Sequence, residues 1–530
     1  LVNLSLCWFQ KMLRSGLLVV TTPLHKLNAL IPSILESVSN FVTQRLYIRL
    51  EPGLKTLWPF DNEHSLSNVM LYEPIVAKFY LNANKYCKGL DIEVLIGNLK
   101  KKKVGCQSVD VFLFDDLHEK LEVDNFLSNV LQHDPSSVKV VTLENLVNCE
   151  DFMPPQDDHR TFNHVAVGGT FDKLHNGHKL LLSEAVLRST SALTVGIADG
   201  QLLKNKKLGE LIDPCEARVN AVKKFLTEID SSLDYNVVPI TDTAGPAGTD
   251  PTIEMLLVTE ETAKGGYFVN EERIKKGLKA VEVLQIPLVY DNWRKSDIEE
   301  EKISSSSLRM RMLGTLIKAP GFHPRLSSKP YTIGLTGGSC SGKSSIAAGL
   351  AKLGAGIVDC DKLGHQAYLP GTSLHSILVN EFGPEIEDKN GNINRKQLGN
   401  IVFRSKEALA RLNNLVWPEI WQLAEKERDR LAGDGKIVIM DAAVLIEAGW
   451  DKHCHEVWVC IIPQDEAVRR MIERDNISQE VAECRLKSQL TNTERVKHAN
   501  VIFSSFAATD YTLSQVKNAW TDLLARINQE

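Results

Sequence analysis

Two clusters in this 530-residue chain place residue types at spacings that suit phosphate chemistry. In the first, Gly168-Gly169-Thr170-Phe171-Asp172 runs into His175-Asn176-Gly177-His178. The histidines flank an Asn-Gly pair, so both imidazoles can face one loop pocket and stabilise charge on a phosphate. In the second, Gly337-Gly338-Ser339-Cys340-Ser341-Gly342-Lys343-Ser344 fits the pattern G-x-x-x-x-G-K-S. The glycine-rich turn of that pattern aims backbone N–H groups at phosphates. Its Lys343 reaches β/γ-oxygens, and the Ser344 hydroxyl can ligate Mg²⁺. Asp359, Asp361 and Asp441 follow apolar runs. Carboxylates at strand C-termini beside such a loop stand where a base or a Mg²⁺ partner must lie.

These groups need elements to position them. His164–Val167 reads as a buried strand that feeds the histidine loop and then an apolar-periodic helix over Lys179–Leu187. Strand, glycine-containing loop and helix deliver a ligand to the strand C-termini of a doubly wound sheet, and the helix N-terminus suits a triphosphate. Tyr331–Thr336 is the strand before the second loop, with a helix from Lys343 to Leu353 after it. Further strands are expected at Gly356–Asp359 and Lys436–Met440. Upstream, residues 12–152 read as mixed α/β, with strands at Leu17–Thr21, Arg45–Leu50, Asp91–Ile96 and Val109–Phe114 and a helix at Leu27–Val42. That segment shows no catalytic constellation, and Lys100–Lys103 is expected to form a solvated turn. Breaks at Met153–Asp158 and within Ala319–Pro330 mark linkers. No internal repeat is visible in the text.

Composition narrows the function classes. With 61 Lys+Arg against 67 Asp+Glu, the net charge of −6 excludes a generally basic nucleic-acid coat. Ten scattered cysteines make no disulfide framework and indicate a reducing compartment, and His453-Cys454-His455 with Cys460 lacks paired zinc-ligand spacing. No run approaches the ~18–20 apolar residues that span a bilayer, and no secretory cleavage pattern follows Gly16–Val20. Residues 1–11 precede the first methionine, Met12, and are set outside the fold reading.

The Gly-Thr-Phe-Asp run together with His-x-Gly-His resembles the nucleotidyltransferase superfamily, and Ile303-Ser304-Ser305-Ser306-Ser307-Leu308-Arg309 resembles its second signature. Ala244–Pro251 and Val258–Gly266 resemble substrate and nucleotide loops of the eukaryotic type of phosphopantetheine adenylyltransferase. The resemblance implies an acceptor phosphate attacking the α-phosphorus of ATP, with no covalent enzyme intermediate. His178 would stabilise the transition-state phosphate and His175 would hold the triphosphate. Gly169, Thr170 and Phe171 would line the ATP loop. Ser305, Ser306 and Arg309 would grip the β/γ-phosphates. Thr170 would meet the acceptor phosphate, and Lys204 or Lys206 would neutralise charge.

Downstream, Asp-x-Asp at 359–361 and Asp-Ala-x-x-Leu-x-Glu at 441–447 resemble the dephospho-coenzyme A kinase family. By that resemblance Gly337, Gly338, Ser339, Cys340, Ser341, Gly342, Lys343 and Ser344 bind ATP, with Mg²⁺ held through Ser344. Asp361 is the base for the ribose 3′-hydroxyl, Asp359 helps position substrate, and Asp441 contacts substrate or a Mg²⁺-bound water. Glu447 is substrate-facing or structural, and Arg474 is the lid arginine over the transferring phosphoryl group. Arg469 and Arg470 read as solvated helix residues. The loop departs from the family at Cys340, where glycine is usual, and at Ser339, where an aliphatic residue is usual. A helix N-terminus and bound phosphate can lower a thiol pKa, and the sequence leaves open whether Cys340 is a modifiable thiol.

The combined architecture resembles that of the bifunctional coenzyme A synthases. It implies a Rossmann-like nucleotidyltransferase domain (163–318) and a P-loop kinase domain (331–530), preceded by a mixed α/β domain (12–152). The implied reactions turn ATP and 4′-phosphopantetheine into dephospho-CoA and then into CoA, in cytoplasm and at mitochondria through the N-terminal region. The competing readings are another adenylyltransferase–kinase fusion, such as a nicotinamide dinucleotide-forming enzyme, and a nucleotide-dependent scaffold.

Overall fold

The computed structural model describes residues 13–51, 69–100, 108–147, 160–321, 329–402, 405–433 and 436–527. The first linker, Met153–Asp158, and most of the second lie outside these, as do Lys101–Lys103. The chain separates into two compact units, Leu1–Leu308 and Arg309–Glu530.

The first unit holds two five-stranded parallel sheets. One contains β1 (Leu13–Val20), β2 (Val42–Leu50), β3 (Asp91–Leu95), β4 (Val111–Phe114) and β5 (Val140–Thr142), in the order β3-β2-β1-β4-β5. The other contains β6 (Phe162–Gly169), β7 (Ser189–Ala198), β8 (Asp234–Ile240), β9 (Met255–Thr259) and β10 (Glu282–Ile286), in the order β10-β9-β6-β7-β8. Counted from its own first strand, each sheet reads 3-2-1-4-5. The helices repeat as well. Leu24–Val38 and Asn176–Arg188 follow the first strands, Glu73–Tyr86 and Cys215–Ile229 the second, and Lys120–Asn129 and Ala263–Lys275 the fourth. The unit is therefore a topological repeat, although the sequence reads as free of one.

β1 and β4 are apolar on both faces, as parallel strands covered on both sides must be. Leu18 and Val20 of β1 point into one core and Leu17 and Val19 into another. The former core is continuous from Ile48 of the first sheet to Val165 and Leu193 of the second. β5 and the helices Glu73–Tyr86 and Lys120–Asn129 are elements that the sequence reading does not assign.

Lys100 departs from expectation. It does occupy a turn, but its ammonium is buried and pairs with the wholly buried Asp230 at 2.8 Å. It also donates to the Val186 carbonyl at 2.9 Å. A run of four lysines reads as solvent-facing; only the tertiary fold reveals that the first is enclosed.

The second unit holds β11 (Thr332–Gly337), β12 (Gly356–Asp359), β13 (Val438–Asp441), β14 (Glu456–Ile461) and β15 (Val501–Ser504), all parallel, in the order β12-β13-β11-β14-β15. Asp359 and Asp441 end neighbouring strands in direct register. The helix after the glycine-rich loop runs Lys343–Lys352.

Breaking a buried ion pair from one side typically costs about 3–5 kcal/mol. Lys100→Met should therefore lower the unfolding free energy of the first unit, read from urea denaturation, by an amount of that order. A change below about 0.5 kcal/mol, the size of an ordinary surface substitution, would show the pair to be dispensable.

Candidate active sites

The first site forms at the C-terminal edge of the second sheet, where strand order reverses between β6 and β9. Past Gly169, Phe171 and Lys173 sit at φ +48° and +50°. That left-handed region is unfavourable for side-chain-bearing residues and persists only when neighbours enforce it. Buried Arg218 supplies enforcement by donating to the carbonyls of Thr170 and Ala198, both at 2.8 Å. Asp172, fully buried, accepts from the Asp213 N–H at 3.0 Å.

His175 caps the helix Asn176–Arg188, its Nδ1 accepting from the His178 N–H at 3.4 Å. The two rings stack with centroids 3.8 Å apart, and Phe171 packs on His178 at 5.2 Å. Gly177 leaves room for this stack, since a Cβ there would lie 3.2 Å from the His175 ring and press on it. Burial pushes the His178 pKa down to about 3, aided by the charges of Lys302 and Lys206. Burial, with His178 and Lys302, likewise holds His175 well below the usual imidazole range. Both rings are neutral near pH 7, so they offer hydrogen bonds rather than positive charge. His178 Nδ1 is buried and meets no hydrogen-bond partner among the described residues.

The serine motif arrives at the same place. Ser305 Oγ donates to the Asp172 carbonyl at 2.7 Å, tying the start of the helix Ser305–Met312 to the histidine loop. Ser306 is the next residue of that helix. Arg309, one turn on, is buried and is the first residue of the second unit. Thr170 follows β6 directly. Lys204 and Lys206 lie exposed on the turn after β7, and of the two it is Lys206 whose charge bears on His178. Sequence reasoning missed Lys302, which pairs with Glu261 and with Glu300 at 3.4 Å and whose charge reaches both histidines. A lysine immediately before Ile303 was the available signal.

The second site is a cavity of about 700 Å³ at the C-terminal edge of β11 to β14, lined by the whole run Gly337–Ser344 together with Asp361, Arg470, Arg474 and Arg495. Gly342 sits at φ +86°, and a Cβ there would approach Ser505 Oγ to 2.6 Å, so only glycine fits. Lys343 Nζ lies 3.0 Å from Asp361 and closer still to Asp441. Burial acts to lower its pKa, but the two carboxylates outweigh burial and keep the ammonium charged. Asp361 also accepts from the Ala443 N–H at 3.3 Å. Asp359 caps the following helix through the Lys362 N–H at 2.9 Å, and its ion pair with Lys362 holds its carboxyl low against the opposing effect of burial. Ser344 is exposed at the start of its helix.

Two arginines change standing here. Arg469 is a surface residue paired with Glu466 and Glu473, as expected. Arg470 is not: it donates to Ser505 Oγ at 2.9 Å and to the Ser505 carbonyl at 2.7 Å, bracing the phosphate loop. Arg495, which the sequence did not single out, is buried at the cavity wall and meets Glu447 at 3.4 Å. Arg474 is exposed and forks onto Asp475 at 2.8 and 3.1 Å. Gln489 clamps Ser339 by both its amide atoms, which accounts for a polar residue at that loop position.

Cys340 is left open by the sequence. Burial raises its thiol pKa, and the nearby Arg474 only partly offsets this, so the thiol is not activated. Its φ of +61° explains why glycine is the usual residue there.

Left-handed backbone at a side-chain-bearing residue costs roughly 1–2 kcal/mol, partly offset in glycine by chain entropy. Cys340→Gly should thus leave stability level or raised by up to about 1 kcal/mol, with phosphate-loop function kept. A large loss in thermal midpoint would contradict this. For His178, the unfolded imidazole titrates near 6.5 and the folded one at about 3. The unfolded chain binds the extra proton between those values, so this group's contribution to stability is complete above about 6.5 and fades as pH falls toward 3. An NMR titration should find the His178 ring neutral from pH 8 to about 5; a midpoint near 6.5 would overturn the burial argument.

Three protein families match the chain: the COASY N-terminal domain over residues 14–123, the cytidylyltransferase-like family over 166–311, and dephospho-CoA kinase over 331–509. The chain is 41% identical over 177 residues to the dephospho-CoA kinase of Fusobacterium nucleatum subsp. nucleatum, covering 33% of this chain and 88% of that one. It is 37% identical over 189 residues to the dephospho-CoA kinase of Geobacter sulfurreducens, covering 36% and 96%. It is 38% identical over 160 residues to the phosphopantetheine adenylyltransferase of Saccharomyces cerevisiae, covering 30% of this chain and 52% of that relative.

Proposed function

Since the chain belongs to the bifunctional coenzyme A synthases, joining an adenylyltransferase-type domain to a dephospho-CoA kinase domain, we propose that its two sites carry out the last two steps of coenzyme A biosynthesis in chain order. On this reading residues 163–318 form the adenylyltransferase, 331–530 the kinase, and 12–152 a separate N-terminal domain.

In the first step a phosphate oxygen of 4′-phosphopantetheine attacks the α-phosphorus of ATP. The new O–P bond forms as the bond to pyrophosphate breaks, and dephospho-CoA results. The protein supplies position and charge stabilisation only. His178, as a neutral imidazole, donates to the transition-state phosphate, and His175 holds the triphosphate. Gly169, Thr170 and Phe171 shape the loop around it, with Thr170 meeting the acceptor phosphate. Ser305, Ser306 and Arg309 take the β/γ-phosphates. Lys206, rather than Lys204, is assigned to neutralise charge. The observation that carries this reading is the Ser305–Asp172 hydrogen bond, because it joins the two motifs whose partnership the chemistry needs.

In the second step Asp361 accepts the proton of the ribose 3′-hydroxyl as that oxygen takes the γ-phosphoryl group from ATP. Lys343 is held by Asp361 and Asp441. A triphosphate entering the loop takes over the ammonium and frees Asp361 to act on substrate. Asp359 and Asp441 position the acceptor, and Arg474, exchanging Asp475 for phosphate, screens the transferring group. The Ser344 hydroxyl on the cavity wall suits a hard cation, so it would hold Mg²⁺ together with ATP, and the ion would supply charge neutralisation. Association with mitochondria through residues 12–152 belongs to the same reading. Among the described residues no helix is long and apolar enough to cross a membrane.

Removal of one preorganised phosphate contact costs about 3 kcal/mol, or ~100-fold in rate. With 4′-phosphopantetheine, ATP and Mg²⁺, the wild type should make CoA, Lys343→Ala should stall at dephospho-CoA, and His178→Ala should make neither. A wild type that leaves 4′-phosphopantetheine untouched would refute the assignment.

A further inference from the structure

The helix that carries His178 has no exposed face beyond its first turn: every residue from Lys179 to Arg188 is buried. Its polar residues fall in two pairs one turn apart, Lys179 with Ser183 and Glu184 with Arg188, groups that on an isolated helix would face water. In this chain the N-terminal sheet and its helix meet Lys179, Ser183 and Arg188. Lys179 Nζ pairs with Asp91 and with Glu93 at 3.4 Å, both on β3, and donates to the Ile92 carbonyl between them at 3.1 Å. Ser183 Oγ meets the Tyr80 hydroxyl at 3.3 Å, and that hydroxyl also accepts from the Val94 N–H at 3.0 Å. Arg188 reaches Glu73 at 3.1 Å.

The covering sheet has the strand and helix order of the sheet it covers, but its equivalent loop is not open to a ligand. Where β6 leads into Gly169, Thr170 and the histidine pair, β1 leads into Thr21 and Thr22. Their N–H groups donate to the buried Asp115 carboxylate at 2.7 and 3.0 Å. A side-chain carboxylate thus occupies the donors that a phosphate would need.

From this we propose that the N-terminal domain is a non-catalytic copy of the adenylyltransferase fold acting as an intrachain platform for the His178 helix, with Lys179 as the positioning residue. The inference rests on the adenylyl-transfer reading of the His178 site. Lys179 closes the first helical turn, its own N–H bonding the His175 carbonyl at 3.0 Å, so the turn that carries both imidazoles is anchored where Lys179 is anchored. Phe225 lies 5.4 Å from the ammonium on its other side, leaving the β3 carboxylates as its counter-charges.

Misplacing a reacting group by about 1 Å can cost ~100-fold in rate. The test is steady-state adenylyl transfer by the full chain carrying Lys179→Met, Lys179→Arg, Asp91→Asn, or Lys179→Met with Asp91→Asn. Thermal unfolding confirms that each variant is folded. Lys179→Met and Asp91→Asn should each lower kcat ~10- to 100-fold with KM for ATP nearly unchanged. Lys179→Arg should restore most of the rate, and the double variant should lose no more than Lys179→Met alone. If Lys179→Met does not fold, Asp91→Asn, isosteric and at a partly exposed carboxylate, carries the test. A kcat within about twofold of wild type in a folded variant, or losses that simply add, would overturn the proposal. His178→Ala in parallel separates the two levels: if it too keeps full adenylyl transfer, the site reading fails; if it alone loses it, only the platform role fails.

Discussion

A parallel sheet sends all its strands out at one edge, and the chemistry of this chain depends on that constraint. At this edge loop N–H groups and helix N-termini converge with side chains from several strands. The chain uses the edge three times. After β6 it presents two stacked, neutral imidazoles. After β11 it presents a glycine-rich loop and a lysine between carboxylates. After β1 the donors are already taken by Asp115, reinforced by a 2.8 Å contact between the Thr21 hydroxyl and His118 Nε2. Parallel sheets, two of one strand order and one of another, thus yield two candidate sites and one closed counterpart.

The two open sites handle phosphate charge in opposite ways. Around His178, burial keeps the rings uncharged while the cations, Lys206 and Lys302, stand to the side. That arrangement offers directional hydrogen bonds to charge that develops during reaction, with little attraction for bulk anions. At Lys343 the cation is central and is stored against Asp441 and Asp361, which also keeps a half-buried ammonium from losing its proton.

What the sequence made legible follows from range. Strand–loop–helix units, such as His164–Val167 with His175 and His178, or Tyr331–Thr336 with Lys343, are local patterns and lie where expected. Asp359 and Asp441 were readable because strand ends announce themselves. Side chains that act through distant partners were not. Lys100 looked solvated until Asp230 enclosed it, Arg470 looked solvated until Ser505 claimed it, and Arg495 and Lys302 carried no motif of their own. Cys340 stayed open for a related reason: a helix terminus acts to lower a thiol pKa, whereas burial, a tertiary property, raises it. The repeat of the 3-2-1-4-5 sheet escaped notice because topology survives where residue identity does not.

The central claim is that this chain has two open nucleotide sites and one closed copy. Equilibrium binding of a non-hydrolysable ATP analogue to the full chain, with Mg²⁺, counts them directly. The account predicts two analogue molecules per chain. A single molecule would remove one of the sites, and a third would show that Asp115 does not close the loop after β1.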